Sequence, residues 1–335
     1  MKNFLITGAL GFIFSNVTNY LSLKYPHIKI YILDKKDYCS SIENINKESL
    51  HNTEIIIGDI RNKELVSFIL NKYDITNVIH AAAETHVDNS FFNSTSFTEN
   101  NILGTHILLE CCKIYQEKTG KLEQFIHVST DEVYGEVLNN EIKLETSVLN
   151  PTNPYAASKC GAEFLVKSYY YSYKLPIIIT RGNNVYGMNQ YPEKVIPKFI
   201  CHLLNGQKVT IQGDGSNRRN FIHIDDVCTA FETILLKGKI GNIYNISGPE
   251  DNDYSVIDLT KILLKLFNPE IDTSNEKELL NSIKYVEDRK FNDYRYYISG
   301  KKLEELGWKA KKNNLEQNLK ELIEWYKLNK SRYGF

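Results

Sequence analysis

Along the first half of the chain, short β-branched apolar runs alternate with longer stretches whose apolar positions recur every three or four residues. Phe4-Leu5-Ile6, Ile28–Leu33, Glu54–Ile57, Asn77–Ile79 and Phe125–Val128 predict buried strands, and the intervening periodicity predicts helices near 13–24, 62–72, 95–118 and 153–173. Such alternation specifies an α/β fold, a doubly wound parallel sheet covered by helices on both faces. Ligands in these sheets sit beyond the carboxyl ends of the strands, so the chemistry is expected just after each apolar run. Past residue 180 the rhythm changes. Gly182, Gly187, Gly206, Gly213 and Gly215 punctuate a loop-rich stretch with one helix near 193–205, before a helix near 225–237 and a strand near 242–246 return to the sheet. From about 249 the pattern is helical and polar, ending in an amphipathic helix near 313–329. The expected organisation is one domain over 1–182 plus about 220–246, and a smaller, mostly helical one over 183–219 plus about 247–335.

A length of 335 residues accommodates this pair of domains. Forty basic against 41 acidic residues leave a net charge of −1, so no basic field is available for nucleic acid. A phosphate-bearing ligand would have to be met by local arginines and lysines. The six cysteines, Cys39, Cys111, Cys112, Cys160, Cys201 and Cys228, form no CxxC pair, and the expectation is scattered thiols in a reducing compartment with no metal site. The apolar start from Phe4 to Phe14 is broken by Thr7-Gly8 and lacks a cleavage-site pattern, and no run of about 18 apolar residues occurs. A cytoplasmic protein without a membrane span is expected.

The first predicted strand runs into Thr7-Gly8-Ala9-Leu10-Gly11-Phe12-Ile13-Phe14. Glycines between a strand and a helix permit a tight turn and bring backbone N–H groups up to a pyrophosphate at the helix N-terminus. Asp34, ending the second strand, can accept hydrogen bonds from a ribose and repel a 2′-phosphate, which favours NAD over NADP, although Lys35 and Lys36 weaken that argument. Phe14 stands where this fingerprint has its third glycine. The expectation is that the helix start shifts or that the ring points away from the cofactor.

Tyr155-Ala-Ala-Ser-Lys159 places a phenol and an ammonium one helical turn apart, where the cation can lower the phenol's pKa and make it a base. Tyr-x-x-x-Lys is common by chance. Its context is Phe125-Ile-His-Val-Ser-Thr130-Asp131-Glu132-Val-Tyr134-Gly135, in which a buried strand delivers a hydroxyl and two carboxylates to the ligand end of the sheet. Carboxylates there often only cap helices, so the weight rests on the combination with Gly8, Gly11, Asp34, Tyr155 and Lys159.

With these motifs, together with Ala81-Ala82-Ala83-Glu84-Thr85-His86-Val87-Asp88 and Tyr191-Pro-Glu193-Lys194-Val195-Ile-Pro197, the chain resembles the extended short-chain dehydrogenase/reductase family, and within it the nucleoside-diphosphoglucose 4,6-dehydratases. The likeness spans almost the whole chain, and Thr130-Asp131-Glu132 is its discriminating element. It implies a Rossmann-type sheet and a tightly held NAD bound by Gly8, Gly11, Phe12, Ile13, Asp34, Asp59, Ile60, Ala81, Ala82, Ala83, Tyr155 and Lys159. It also implies catalytic roles for Thr130, Asp131, Glu132, Tyr155 and Lys159. Tyr155 would take the C4 hydroxyl proton, Thr130 orient that hydroxyl, Glu132 remove the C5 proton and Asp131 protonate the departing C6 hydroxyl. The two carboxyls would then need opposite protonation states.

By the same resemblance, Thr85, His86, Asn184, Glu193, Lys194, Val195, Arg219, Asn245, Arg289 and Asp293 would meet the nucleotide sugar, with guanidinium groups suited to phosphate. Lys290 departs from the family, which often has proline there. Thr180–Gly187, Gly213–Asn217 and Phe291–Tyr296 resemble the dehydratase domain of plant UDP-rhamnose synthases, so UDP-glucose is expected over dTDP-glucose. The family pairs through the helices near 95–118 and 153–173, so a homodimer is expected, with the Tyr169–Tyr173 run partly at the interface. A UDP-sugar 4-epimerase or decarboxylase would share the fold, Tyr155 and Lys159 but has no use for Asp131-Glu132. A catalytically silent NAD-binding sensor would not keep both Tyr155 and Lys159.

Overall fold

The structure is a computed structural model describing residues 2–139 and 141–334; the outer limits of the two expected domains, Met1 and Phe335, lie outside the described residues. Strand β1 (Asn3–Thr7) leads through helix α1 (Phe12–Lys24) to β2 (Lys29–Asp34) and β3 (Thr53–Ile57). Helix α2 (Lys63–Lys72) precedes β4 (Asn77–His80), which is followed by the short helices α3 (Val87–Phe92) and α4 (Ser94–Phe97), and then α5 (Gly104–Thr119). Strand β5 (Gln124–Thr130), helix α6 (Pro154–Tyr173) and β6 (Ile177–Gly182) follow. All these strands are parallel. With the later β10 they form a seven-stranded sheet in the order β10-β6-β5-β4-β1-β2-β3.

The side-chain alternation of the strands splits the core in two. Phe4, Ile6, Ile32, Ile79, Ile126 and Ile178 face α1 and its neighbours, whereas Leu5, Leu33, Val78, Phe125 and Ile177 face α2, α5 and α6. Every strand buried on both faces needs a continuous apolar run, which is why these runs were legible in sequence. The chain order reverses between β1 and β4, and the crevice opens at their carboxyl ends.

The second half is richer in strands than its periodicity predicts. It contains β7 (Asn184–Tyr186), α7 (Val195–Leu204), β8 (Val209–Gln212), β9 (Arg218–His223), α8 (Ile224–Lys237) and β10 (Ile243–Ile246). Beyond these come β11 (Asp253–Ser255), α9 (Val256–Phe267), α10 (Glu276–Ser282), β12 (Ile283–Val286), β13 (Arg295–Tyr296), α11 (Lys301–Glu304) and α12 (Leu315–Leu328). The stretch after 249, expected to be helical, thus supplies three short strands. They are completed by partners distant in sequence, β9 with β7, β11 and β13, and β8 with β12, so no local period announces them. Helices α7, α9 and α12 enclose a separate apolar core with Tyr186, Val209 and Phe221. Leu303 and Trp308 instead pack into the core beneath α1 and α8.

The helix predicted near 95–118 is not uniform. Residues Thr98–Leu103 form a π-helical turn between α4 and α5. The wider turn lets adjacent Asn100 and Asn101 both point inward: Asn101 donates to Ser158 Oγ at 2.8 Å, and Asn100 donates to Glu84 Oε1 at 2.6 Å.

Candidate active site

Gly8 closes β1 with φ of 72°, and a Cβ there would lie 2.7 Å from the backbone of Ala82 after β4. No other residue fits where two strand ends approach so closely. Gly11 caps α1 from an extended backbone, so the unpaired N–H groups of the first turn face the crevice. Phe14 is buried at the floor of this crevice, with its ring edge-on to Phe231 of α8 at 4.9 Å between centroids, and both rings contribute to the cavity lining. The bulky residue is accommodated because α8 offers an aromatic partner beneath the turn.

Two adjoining cavities, of about 410 and 430 Å³, share Gly8, Gly11, Cys39, Ala81, Ala83, Thr85 and His86. Over β2 and β3 the second is lined by Asp34, Asp59, Ile60 and Ala82. Asp34 accepts N–H bonds from Leu10 at 2.9 Å and Lys36 at 2.8 Å, one on each oxygen, leaving a lone pair on each for a ligand hydroxyl. Burial raises its pKa, and the two backbone donors oppose that shift. Lys35 is tied to Asp37 at 2.9 Å, which removes it as a free cation at this corner. Asp59 is clamped by Arg61, whose guanidinium reaches it at 2.7 Å.

The first cavity gathers the residues expected to be catalytic. Strand β5 ends at Thr130, a single 3₁₀ turn carries Asp131 and Glu132, and α6 brings Tyr155 and Lys159 to the same wall. Asn153 caps α6 by accepting the N–H of Ala156 at 2.8 Å, with Pro154 pre-set in the first turn, so the phenol stands at the start of a well-anchored helix. Asp131 is buried; desolvation and the Glu132 charge push its carboxyl up to about 7, against a hydrogen bond from Asn183. Glu132 accepts a bond from Asn153 at 3.1 Å. Tyr155 is held well above the usual phenol range by burial and by Glu132 and Asp131, with only the Thr130 hydroxyl opposing. Burial brings Lys159 down to about 8. Its ammonium donates to the Val128 carbonyl at 2.6 Å, which anchors it beneath the end of β5.

The facing wall comes mostly from the second half, with Thr85 and His86 from the segment after β4. Thr85, His86, Asn184, Glu193, Lys194, Val195, Arg219, Arg289 and Asp293 all line the cavity. Lys194 donates to the Thr85 carbonyl at 2.7 Å, Glu193 accepts from Tyr38 at 2.6 Å, and Arg289 pairs with Asp88 at 2.6 Å, so three contacts bridge the halves around the opening. Arg219 lies over the Tyr296 ring at 4.6 Å. Asp293 is almost wholly buried and accepts from Thr152 at 2.7 Å and from the Tyr296 hydroxyl. Asn245 is a correction. It is fully buried outside both cavities, accepting from Tyr134 at 2.8 Å, because strand alternation turns its neighbour Ile246 toward the cavity instead.

Residues 5–322 match the GDP-mannose 4,6 dehydratase family. The chain belongs to this dehydratase family. It is 49% identical, over 99% of its length, to a trifunctional UDP-glucose 4,6-dehydratase/3,5-epimerase/4-keto-rhamnose reductase of Arabidopsis thaliana, of which it spans 48%. The chain thus covers about half the length of these plant relatives. A dTDP-D-glucose 4,6-dehydratase of Dictyostelium discoideum is 47% identical over 99% of the chain and 83% of that protein. Among solved structures, a dTDP-glucose 4,6-dehydratase from Streptomyces venezuelae, crystallised with NAD bound, superimposes with a TM-score of 0.88 at 34% identity, covering 99% of each chain.

Sequence reasoning about this dehydratase fold missed Asn183, Asn153 and Tyr296, which contact Asp131 or Glu132. Asn153 was findable as a side-chain cap just before a proline. Asn183 and Tyr296 lie inside motifs quoted above, but only the folded chain brings them to the carboxyl pair.

Proposed function

We propose that the chain catalyses the NAD-dependent 4,6-dehydration of a nucleoside-diphosphoglucose to its 4-keto-6-deoxy product. The carrying observation is a buried acid, Asp131, beside Glu132 in the cavity that also holds Tyr155 and the glycine turn. The crevice suits a dinucleotide: Gly8 leaves no room for a side chain, α1 offers free N–H groups, and Asp34 keeps lone pairs for ribose hydroxyls. When bound, NAD supplies a hydride acceptor for C4, a hydride donor for C6 and, when oxidised, a positive charge that favours the phenolate of Tyr155.

Tyr155 takes the O4 proton as the C4–H pair departs as hydride, and Thr130 holds that hydroxyl in place. The C4 carbonyl acidifies C5–H. Glu132 takes the C5 proton, the freed pair becomes the C5–C6 π bond, and the C6–O pair leaves on an oxygen protonated by Asp131, releasing water. Hydride return to C6 and delivery of the Glu132 proton to C5 complete the product. Asp131 is protonated below about 7, as an acid must be, which supports this division of labour. A 4-epimerase has no step for such an acid.

UDP-glucose is the favoured substrate, on the resemblance of the motifs at 180–187, 213–217 and 291–296 to the plant enzymes. The protein is read as a cytoplasmic homodimer; exposed Leu103, Ile114, Phe164 and Tyr171 on the π turn, α5 and α6 supply an apolar face for pairing. The substrate half is read as residues 183–219 and 247 onward. Incubating the NAD-loaded protein in parallel with UDP-glucose and dTDP-glucose tests the reading. Formation of 4-keto-6-deoxy sugar, faster from UDP-glucose, is expected; no product from either would overturn it.

A further inference from the structure

Asn183 lies between β6 and β7 on the cavity wall, 5% exposed. Its Nδ2 donates to Asp131 Oδ2 at 2.7 Å, and its Oδ1 accepts the Gly248 N–H at 3.2 Å. The second contact fixes the amide's orientation, since a backbone N–H can only donate and must face the oxygen. Gly248 packs so closely against β9 that a Cβ on it would lie 2.3 Å from the Phe221 carbonyl, so no larger residue fits at the anchor. An N–H aimed at Oδ2 makes that oxygen the carbonyl-type acceptor of a neutral carboxyl. The proton is then left on Oδ1; the Thr130 hydroxyl, 3.3 Å away and able to donate to the charged carboxylate, rotates to accept when Oδ1 carries the proton.

We propose that Asn183 is a positioning residue for the dehydration step: anchored by Gly248, it selects Oδ1 of Asp131 as the oxygen that carries the proton and turns it toward the leaving C6 hydroxyl. The proposal rests on the dehydratase reading above. In the step it serves, the Oδ1 proton moves to the C6 oxygen, the C6–O pair leaves with it as water, and Asp131 becomes a carboxylate. Asn183 then donates to the charged form, stabilising the carboxylate as it develops. The other groups facing Asp131 are Thr130 and Glu132 on its own turn, Tyr155 of α6 and Arg219 of β9. None of them contacts Oδ2 as Asn183 does.

Asn183→Leu removes both bonds at near-constant volume, and Asn183→Asp keeps an oxygen for Gly248 while removing the N–H. Turnover is expected to fall about 10–100-fold in kcat, part of the full general-acid contribution, with KM within about 2-fold. Because C4 oxidation precedes the affected step, reduced nicotinamide should accumulate in both variants, visible by its fluorescence. Without the amide donor the Asp131 acid is weaker, so the basic limb of the kcat/KM profile should move to higher pH in Asn183→Leu. Placed on Asp131→Asn, Asn183→Leu should cost no more than about 2-fold further, as expected for groups acting as one unit. Wild-type kcat and pH profile in Asn183→Asp, or an equal further loss in the Asp131→Asn background, would overturn the proposal. If Asn183→Leu does not fold, Asn183→Asp carries the test. Failure of the wild-type protein to make product would instead sink the dehydratase reading.

Discussion

Asp131 shows how a site residue costs stability. Its carboxyl rises from the ordinary 3.8 to about 7 in the folded protein. Well below pH 3.8 both folded and unfolded chains hold the proton and nothing is lost. Between about 4 and 7 the folded state binds more protons than the unfolded, so this group's contribution falls as pH rises, then levels off at a cost of about 4 kcal/mol. Asp131→Asn should therefore slow dehydration about 10²–10⁴-fold, leaving a measurable residue, yet gain stability over wild type, the gain growing from about pH 4 to 7 and constant above; urea unfolding across pH reads it. A gain independent of pH would contradict the assigned protonation. Glu132→Gln should cut turnover about 10²–10⁴-fold while the protein stays folded, read by product formation beside the unfolding curve.

At the scale of elements, helix α6 is pinned from below by an ion pair. Glu163, buried on its inner face, binds Arg181 of β6 at 2.9 and 2.6 Å, and Arg181 donates to the Tyr134 hydroxyl at 2.7 Å, which donates on to Asn245. This chain ties the helix of Tyr155 and Lys159 to the turn of Asp131 and Glu132. Glu163→Ala leaves a buried guanidinium unpaired and should cost about 3–5 kcal/mol in denaturant unfolding. Asn245, expected at the substrate, belongs to this scaffold. Phe14 likewise belongs to an element contact, α1 against α8. Phe14→Ala should cost about 3 kcal/mol in stability while NAD affinity by titration changes less than about 3-fold. A large affinity change would mean that the ring also bears on the bound cofactor.

At the scale of the whole molecule, the cavity exists because two separately built cores meet over the switch point of the sheet. The contacts Lys194–Thr85, Glu193–Tyr38 and Arg289–Asp88 join them at its edge. If pairing uses α5 and α6, Phe164→Glu, which places a charge on that apolar face, should shift the protein toward monomer in sedimentation. Strands β1 to β5 and β10, helices α1, α2 and α6, the glycine turn and the Thr130-Asp131-Glu132 and Tyr155–Lys159 motifs were legible in the sequence, whereas β6 was not. They depend on local period and on residues within a few positions of a strand end, and burial on both faces of a parallel sheet writes itself as unbroken apolar runs. Long-range pairing decided the rest. Strands β7, β9, β11 and β13 form only against one another, Asn245 is turned from the cavity by strand alternation, and Asn183 meets Asp131 because β5 and β6 lie side by side. Those relations join positions far apart in the chain, and no local pattern encodes them.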